Sequence, residues 1–275
     1  MILSLLEIET GLLIILAAFS IYKSLKLSHM LRDMVALRKN YDSQLQSQRE
    51  RDDFLAMLVH ELRSPLSVMK GASDLIIKDA QRLSKDQIET LLTQIRTSSN
   101  GMLKIVDDIL DISKIDSGKF EVHKTFGDLN KVLADECDYY RALAGVKQIK
   151  IEWSFDDTIP SFNFDSDRVR QVMNNLLSNA IKFTVEGGDI VVTTKKNQNT
   201  IEVAVADNGD GIVDDLKLKL FHKFVQLNNH SHTKEYGTGL GLVITKGIIE
   251  AHGGTIWIED NSPKGAKFVF TLPLS

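Results

Sequence analysis

Apolar residues recur at helical spacing between residues 27 and 112. From Leu27 they step by three and four, and this spacing predicts a heptad seam. Its members are Leu27, Met30, Met34, Leu37 and Tyr41. The helical spacing continues over residues 51–80 and returns over 88–112, with the polar segment KDAQRLSKDQ between them. Two long amphipathic helices with a short connection predict a hairpin, which two chains would assemble into a four-helix bundle.

The pattern changes near residue 120, where short alternating segments replace the long helices. Five strands are predicted: Lys150–Ser154, Asp189–Thr194, Ile201–Asp207, Thr255–Glu259 and Lys267–Leu272. Helical patterns at about 128–145, 165–183 and 239–252 separate some of these strands. The fold class predicted for the whole chain is therefore α+β, a helical hairpin followed by an α/β domain.

Residues 1–22 are largely apolar apart from two glutamates. Their uninterrupted apolar stretch, Gly11–Tyr22, is shorter than the ~20 residues that a membrane-spanning helix needs. Counting residues 5–22, with Lys23 and Lys26 at the inner interface, favours one transmembrane span whose C-terminal side is cytoplasmic. A helix that lies on the membrane or is buried against a partner is the alternative.

Composition narrows the function classes. The chain is 43% hydrophobic and 25% charged, which is ordinary for a globular protein. A net charge of −4 and the lack of a long basic block argue against a nucleic-acid partner. The single cysteine, Cys137, can form neither an internal disulfide nor a cysteine zinc site, so the bulk of the chain is expected in the cytoplasm.

The segment VHELRSPL places an imidazole and a carboxylate side by side inside a helical pattern. Pro65 follows His60 by five residues; it lacks a backbone donor and crowds the preceding turn, so the helix is expected to bend just past the histidine. A neutral imidazole is a competent nucleophile at neutral pH. This stretch is a candidate reactive site, with an ordinary kink beside a surface histidine as the alternative.

A polar stripe crosses the helix predicted from RQVMNNLLSNAIKFT. Asn175, Asn179 and Lys182 stand at positions i, i+4 and i+7, so two amides and an ammonium share one face. Amide oxygens suit a magnesium ion that keeps phosphate oxygens and waters in its shell, and lysine adds positive charge for phosphate. A solvated polar face is the alternative reading of Asn175 or Lys182 alone.

Two glycine clusters follow this helix in the sequence. In DNGDGI, Asp207 ends a predicted strand, and Gly209 and Gly211 permit a close backbone approach beyond it. In GTGLGL, three glycines precede a helical segment whose free amides can hold phosphate; they are Gly237, Gly239 and Gly241. The spacing matches neither the dinucleotide fingerprint nor the P-loop, so a different nucleotide fold is required.

Taken together, the motifs resemble those of the sensor histidine kinases, in the group whose histidine-bearing dimerisation hairpin precedes an ATPase domain of the gyrase kind. The resemblance covers residues 50 to 275 and keeps the family's order. FLAMLVHELRSPL is similar to the phosphoacceptor box, NNLLSNAIKFT to the asparagine box, LFHKFVQ to the phenylalanine box, and DNGDGI and GTGLGL to the glycine boxes. The closing segment departs from the family pattern at Pro263 and Ala266, where glycine and a hydroxyl residue are usual.

The resemblance implies a role for each of these residues. His60 would be the phosphoacceptor, Glu61 would take its proton, and Ser64 would orient the water that dephosphorylates the regulator. Asn175 and Asn179 would lie at the Mg²⁺, Lys182 near phosphate and Asp207 at the adenine amino group, under a lid formed by residues 212–236. The expected ATP-binding set is Asn175, Asn179, Lys182, Asp207, Gly209, Gly211, Gly237, Thr238, Gly239, Leu240 and Gly241.

We expect a homodimeric histidine kinase that phosphorylates His60 from Mg²⁺-ATP and passes the phosphoryl group to an aspartate in the receiver domain of a separate response regulator. It would be a single-pass protein of the inner (cytoplasmic) membrane with its kinase domains in the cytoplasm. The expected domains are a transmembrane anchor (1–22), a signalling helix (23–50), a dimerisation and phosphotransfer domain (51–120) and an α/β-sandwich ATP-binding domain (121–275). An ATPase or serine kinase on the same nucleotide fold, and a silent dimeric scaffold, are the alternatives.

Overall fold

The computed structural model describes residues 2–223 and 239–274. The chain divides into two compact units, residues 1–60 and 61–275. Helix α1, Ile2–Asp79, is continuous and contains Pro65 in its interior. The three helical segments predicted before residue 80 therefore form one helix, because local backbone hydrogen bonds propagate across changes in side-chain pattern. The bend expected at Pro65 stays a prediction.

The predicted transmembrane anchor, and with it the inner-membrane location, is wrong. Across the part of the chain that the structure describes, no helix combines the length and the apolar character that a bilayer crossing demands. The physical reason lies in the sequence, since the unbroken apolar stretch Gly11–Tyr22 is short of the ~20 residues required.

A short turn after Asp79 leads into helix α2, Lys85–Asp116. Ser84 caps this helix, since its side-chain oxygen accepts from the Gln87 amide at 3.2 Å while the Gln87 side chain accepts from the Ser84 amide at 2.9 Å. This reciprocal capping box fixes where α2 begins. The predicted pair of helices with a short connection is confirmed.

The second unit contains a five-stranded sheet with the strand order β2-β4-β5-β7-β6. Strands β2 and β4 are parallel, and the other neighbours are antiparallel. A separate two-stranded sheet pairs β1 with β3. The bounds are β1 Thr125–Gly127, β2 Lys150–Ser154, β3 Phe162–Phe164, β4 Asp189–Lys196, β5 Thr200–Asp207, β6 Ile256–Asp260 and β7 Ala266–Pro273. The five predicted strands are confirmed within two residues, whereas β1 and β3 were not predicted.

Helices cover one face of the large sheet. They are α3 (Leu129–Ala144), α4 (Ser166–Phe183) and α6 (Gly241–His252). The described residues also form the short α5 (Asp214–Lys217) and 3₁₀ turns at Gly145–Lys147 and Lys219–Phe221. Helix α3 packs on β2, α4 on β5 and α6 on β7. Fully buried side chains between these layers include Leu129, Leu133, Met173, Leu176, Leu177, Ile248, Ile249 and Phe270. This arrangement is the predicted α/β sandwich.

The register of β5 places a carboxylate in the covered layer. Val203 and Val205 pair with Phe270 and Phe268 of β7, and all four side chains are buried. Because alternate residues of a strand share a face, Asp207 points to the same buried side as the two valines. A carboxylate on an otherwise apolar face is costly, so it marks a candidate site.

Candidate functional site

Asp207 lies at the end of β5 and is only 4% exposed. Its Oδ1 accepts hydrogen bonds from the backbone N–H of Gly209 at 2.9 Å and of Ala266 at 3.3 Å. Burial raises the pKa of the Asp207 carboxyl, and the two backbone donors partly offset that effect. Both donors reach the same oxygen, which leaves Oδ2 as the oxygen that can accept from a ligand.

Glycines surround this carboxylate because the backbone approaches too closely for a side chain. A Cβ at Gly209 would lie 2.4 Å from the carbonyl oxygen of Phe183, and a Cβ at Gly265 would lie 1.8 Å from that of Asp207. Gly211 has φ +77°, a conformation that favours glycine, and faces the Gly265 carbonyl oxygen. The DNGDGI segment and the closing segment therefore meet at Asp207.

Helix α4 carries the polar stripe predicted from the sequence. Its buried face contains Val169, Val172, Met173, Leu176, Leu177 and Ala180. Asn175, Asn179 and Lys182 are half-buried at the edge of that face. The Lys182 ammonium lies 5.4 Å from the centre of the Phe183 ring. The side-chain oxygen of Asn179 could ligate a magnesium ion, and Lys182 could neutralise phosphate charge.

Asn175 links α4 to α6. Its Nδ2 donates to Thr245 Oγ1 at 2.9 Å, and a Cβ at Gly241 would lie 2.1 Å from its Oδ1. Gly241 must therefore be glycine for the start of α6 to approach α4. Thr245 was not predicted from the sequence; its position one turn after Gly241 on the same helix is the only signal that could have identified it.

The GTGLGL motif lies partly outside the described residues. Gly237 and Thr238 are not described, and neither is most of the lid predicted over 212–236. Gly239 has φ +66°, and Leu240 is fully buried at the start of α6. The described part of the motif thus leads directly into the helix that contacts Asn175.

The candidate phosphoacceptor lies on α1. His60 is exposed, Glu61 is half-buried and Ser64 is exposed one helical turn after the histidine. His60 ends the first compact unit, whereas Asn175, Asp207 and the described glycines belong to the second.

A buried histidine holds the far ends of α4 and α6 together. His252 Nε2 accepts from the backbone N–H of Asp165 at 3.0 Å, and Nδ1 lies 2.8 Å from the Ile248 carbonyl oxygen. Since Nε2 is the acceptor, the proton must sit on Nδ1. Burial lowers the pKa of His252, with a further lowering by Lys124, while the Ile248 bond and Asp165 act in the opposite direction.

Stability should therefore fall in mild acid. The pKa of His252 in the folded chain lies below its unfolded value near 6.5, so the unfolded state binds the proton first as pH falls. The contribution of neutral His252 to the free energy of unfolding is fully present above about pH 6.5. Below that pH it decreases by up to about 1.4 kcal/mol per pH unit. Urea unfolding of the parent and of a His252→Gln variant between pH 7.5 and 5.5 measures this effect. Parallel pH profiles for the two proteins would contradict it.

Two regions of the chain match known protein families. Residues 50–118 match the His Kinase A (phospho-acceptor) domain, and residues 164–275 match the histidine kinase-, DNA gyrase B- and HSP90-like ATPase. The signal transduction histidine-protein kinase BaeS of Escherichia coli (strain K12) is 31% identical over 228 residues, which are 83% of this chain and 48% of BaeS. The chain thus spans about half of the length of this curated relative.

Two solved structures share the fold. Full-length ShkA in complex with AMPPNP has a TM-score of 0.62 at 28% identity, over 80% of this chain and 45% of ShkA. The histidine kinase ThkA in complex with the response regulator protein TrrA has a TM-score of 0.57 at 26% identity, over 81% of this chain and 61% of the matched chain.

Proposed function

The chain belongs to the histidine kinases of two-component signalling, and we propose that it binds Mg²⁺-ATP in its C-terminal domain and phosphorylates its own His60. The proposed ATP binding rests on the buried Asp207 carboxylate, which lies among close-packed glycines within the region that matches the ATPase family. The proposed phosphorylation rests on the exposed imidazole of His60, which lies within the region that matches the phospho-acceptor domain.

The proposed nucleotide contacts come from the end of β5, from α4 and from the start of α6. Asp207 Oδ2 would accept from the adenine amino group, and the amides at the start of α6 would face phosphate. Asn179 would contact the metal through its amide oxygen. Asn175 would reach the metal through Oδ1, since its Nδ2 is a donor and is bonded to Thr245. When bound, Mg²⁺ neutralises the phosphate charge that develops during transfer.

His60 supplies the nucleophile. The lone pair of its unprotonated ring nitrogen forms the N–P bond while the bond from the γ-phosphorus to the bridging oxygen breaks, which releases ADP. Glu61 would accept the proton from the other ring nitrogen. Adjacent helical residues do not face each other, so Glu61 must reach sideways to the imidazole. The exposure of His60 makes the nitrogen accessible to an incoming phosphate.

A second copy of the chain is the proposed partner in assembly. The heptad positions Leu27, Met30, Met34 and Leu37 are more than half exposed, and α2 adds exposed Leu92, Leu103, Val106 and Leu110. Apolar stripes on helices of this length are typical of surfaces that another helix covers. A homodimer through these stripes would form the four-helix bundle.

The proposed acceptor of the phosphoryl group is an aspartate in a separate receiver domain, as the solved complex of ThkA with TrrA suggests for this fold. Transfer would break the N–P bond at His60 as an aspartate oxygen forms the new P–O bond. Ser64 would then orient the water that removes the phosphate from the aspartate. A serine hydroxyl has a less restricted rotamer than threonine, so this activity should be weak.

Phosphotransfer tests the proposal. After labelling with γ-labelled Mg²⁺-ATP and removal of free nucleotide, adding purified receiver domains from the source organism should move label from this chain to one of them. EDTA added before ATP should prevent labelling. A Ser64→Ala variant should label and transfer normally but dephosphorylate the receiver more slowly. Label that no receiver accepts would contradict the proposed transfer, and equal dephosphorylation rates would remove Ser64 from it.

A further inference from the structure

The C-terminal end of α2 contacts α6 through a notch made by a glycine. A Cβ at Gly247 would lie 2.4 Å from Ile115 Cδ1 and 2.9 Å from Ile115 Cγ1. Gly247 is buried in the middle of α6, where alanine would be the better helix former. Position 247 is therefore glycine because the side chain of Ile115 occupies the space that a Cβ atom would take.

One turn earlier on α2, Asp111 contacts α4. Its two oxygens accept from Arg168 Nη1 at 2.6 Å and Arg168 Nη2 at 3.1 Å, and Gln171 Nε2 donates to it at 3.1 Å. Asp111 is 6% exposed, and the Arg168 guanidinium also lies 4.8 Å from the centre of the Phe120 ring. A bidentate pair with a buried carboxylate has a fixed geometry, so it orients α4 on α2.

These two contacts act on the helices that carry the proposed nucleotide residues. Ile115 holds α6, which begins at Gly241, and Asp111 holds α4, which carries Asn175. Helices α4 and α6 also contact each other directly, because Asn175 of α4 donates to Thr245 of α6 and lies against Gly241. One turn of α2 thus holds both helices at the spacing at which the asparagine and the glycine meet.

We propose that Ile115 and Asp111 are positioning residues for the nucleotide site, so that the hairpin sets the affinity of the ATP-binding domain for its nucleotide. This inference rests on the proposed function. Neither residue needs to touch ATP, because a shift of α6 at Gly247 would displace Gly241 and Thr245 relative to Asn175. By thermodynamic linkage, bound nucleotide must stabilise the contacts of Ile115 and Asp111 with α6 and α4 by the same factor by which those contacts raise nucleotide affinity.

The Gly247→Ala variant separates positioning from stability. The added methyl group collides with Ile115, so the affinity of the full chain for Mg²⁺-AMPPNP should fall at least about five-fold, which is the lower end of typical coupling between sites. The unfolding temperature in the absence of nucleotide should fall by only a few degrees, because the better helix propensity of alanine offsets part of the cost of the collision. Isothermal titration calorimetry and thermal unfolding measure the two quantities.

A second variant and a double variant make the test specific. Ile115→Ala removes the isoleucine without a collision and should also weaken binding. The double variant Gly247→Ala/Ile115→Ala should bind more tightly than either single variant, since the new methyl group fills part of the vacated space. Gly101→Ala is the matched control, because a Cβ at that position in α2 meets nothing within 4 Å.

The outcomes are distinguishable. Weaker binding by both single variants, recovery in the double variant and an unchanged Gly101→Ala variant support the inference. Parental affinity in Gly247→Ala and Ile115→Ala, with the parent binding normally, overturns it and leaves the proposed function intact. Failure of both the parent and the Gly101→Ala variant to bind Mg²⁺-AMPPNP overturns the proposed function and the inference with it.

Discussion

An Asp207→Asn variant is expected to bind ATP on the order of 100-fold more weakly than the parent, which corresponds to a loss of about 3 kcal/mol. The reason is the pair of backbone donors at Oδ1, from Gly209 and Ala266. If the asparagine keeps its oxygen toward them, its NH₂ group faces the adenine amino group. If it turns the other way, the NH₂ group meets the two backbone N–H groups. Either orientation places donor against donor.

Calorimetric titration with Mg²⁺-AMPPNP measures this loss. Asp157→Asn is a suitable control, since Asp157 is exposed and the same chemical change is made there. The unfolding temperature of the Asp207→Asn variant should be compared with that of the parent, so that weaker binding is not confused with unfolding. Affinity equal to that of the parent in a folded Asp207→Asn protein would mean that the pocket lies elsewhere.

A His60→Gln variant is expected to incorporate no phosphate from γ-labelled ATP while it binds nucleotide as the parent does. Glutamine keeps a polar side chain on an exposed helix position but offers no ring nitrogen with a nucleophilic lone pair. Nucleotide binding should survive, because the residues proposed to bind ATP all follow residue 170 in the chain. Scintillation counting of gel bands and calorimetric titration provide the two readouts.

His29 offers the matched control for that experiment. It is an exposed histidine on the same helix, where its Nδ1 lies 2.9 Å from Asp33 Oδ2. A His29→Gln variant should label as the parent does. Substantial label on the His60→Gln chain would remove His60 as the acceptor.

The regular parts of the fold could be predicted from the sequence. Strands β4, β5 and β7 have eight residues each, and buried and accessible positions alternate along most of their length, with Ala204 of β5 and Val269 of β7 as buried exceptions. This length gives a clear period of two. Strands β1 and β3 have only three residues each and pair across distant parts of the chain. Such short segments have no measurable period, so the sequence did not reveal them.

Only the part of the candidate site that depends on local spacing could be predicted from the sequence. Asn175 and Asn179 could be identified because their spacing on one helix is local. The contacts Asn175–Thr245 and Ile115–Gly247 join residues that are far apart in sequence, and they depend on how helices pack. From the sequence alone, a glycine inside a helix only lowers the expected stability of that helix; the side chain that packs against it is known only from the fold. The roles assigned to the site residues stay predictions.

The chemical stability of the labelled chain tests the central claim most directly. The parent is incubated with γ-labelled Mg²⁺-ATP, denatured, and split between acid and alkali before the remaining label is counted. A phosphorylated histidine requires label that is lost in acid and retained in alkali, and this is the predicted result. Label that survives acid would place the phosphate on a hydroxyl side chain and contradict the assignment of His60 as the phosphoacceptor.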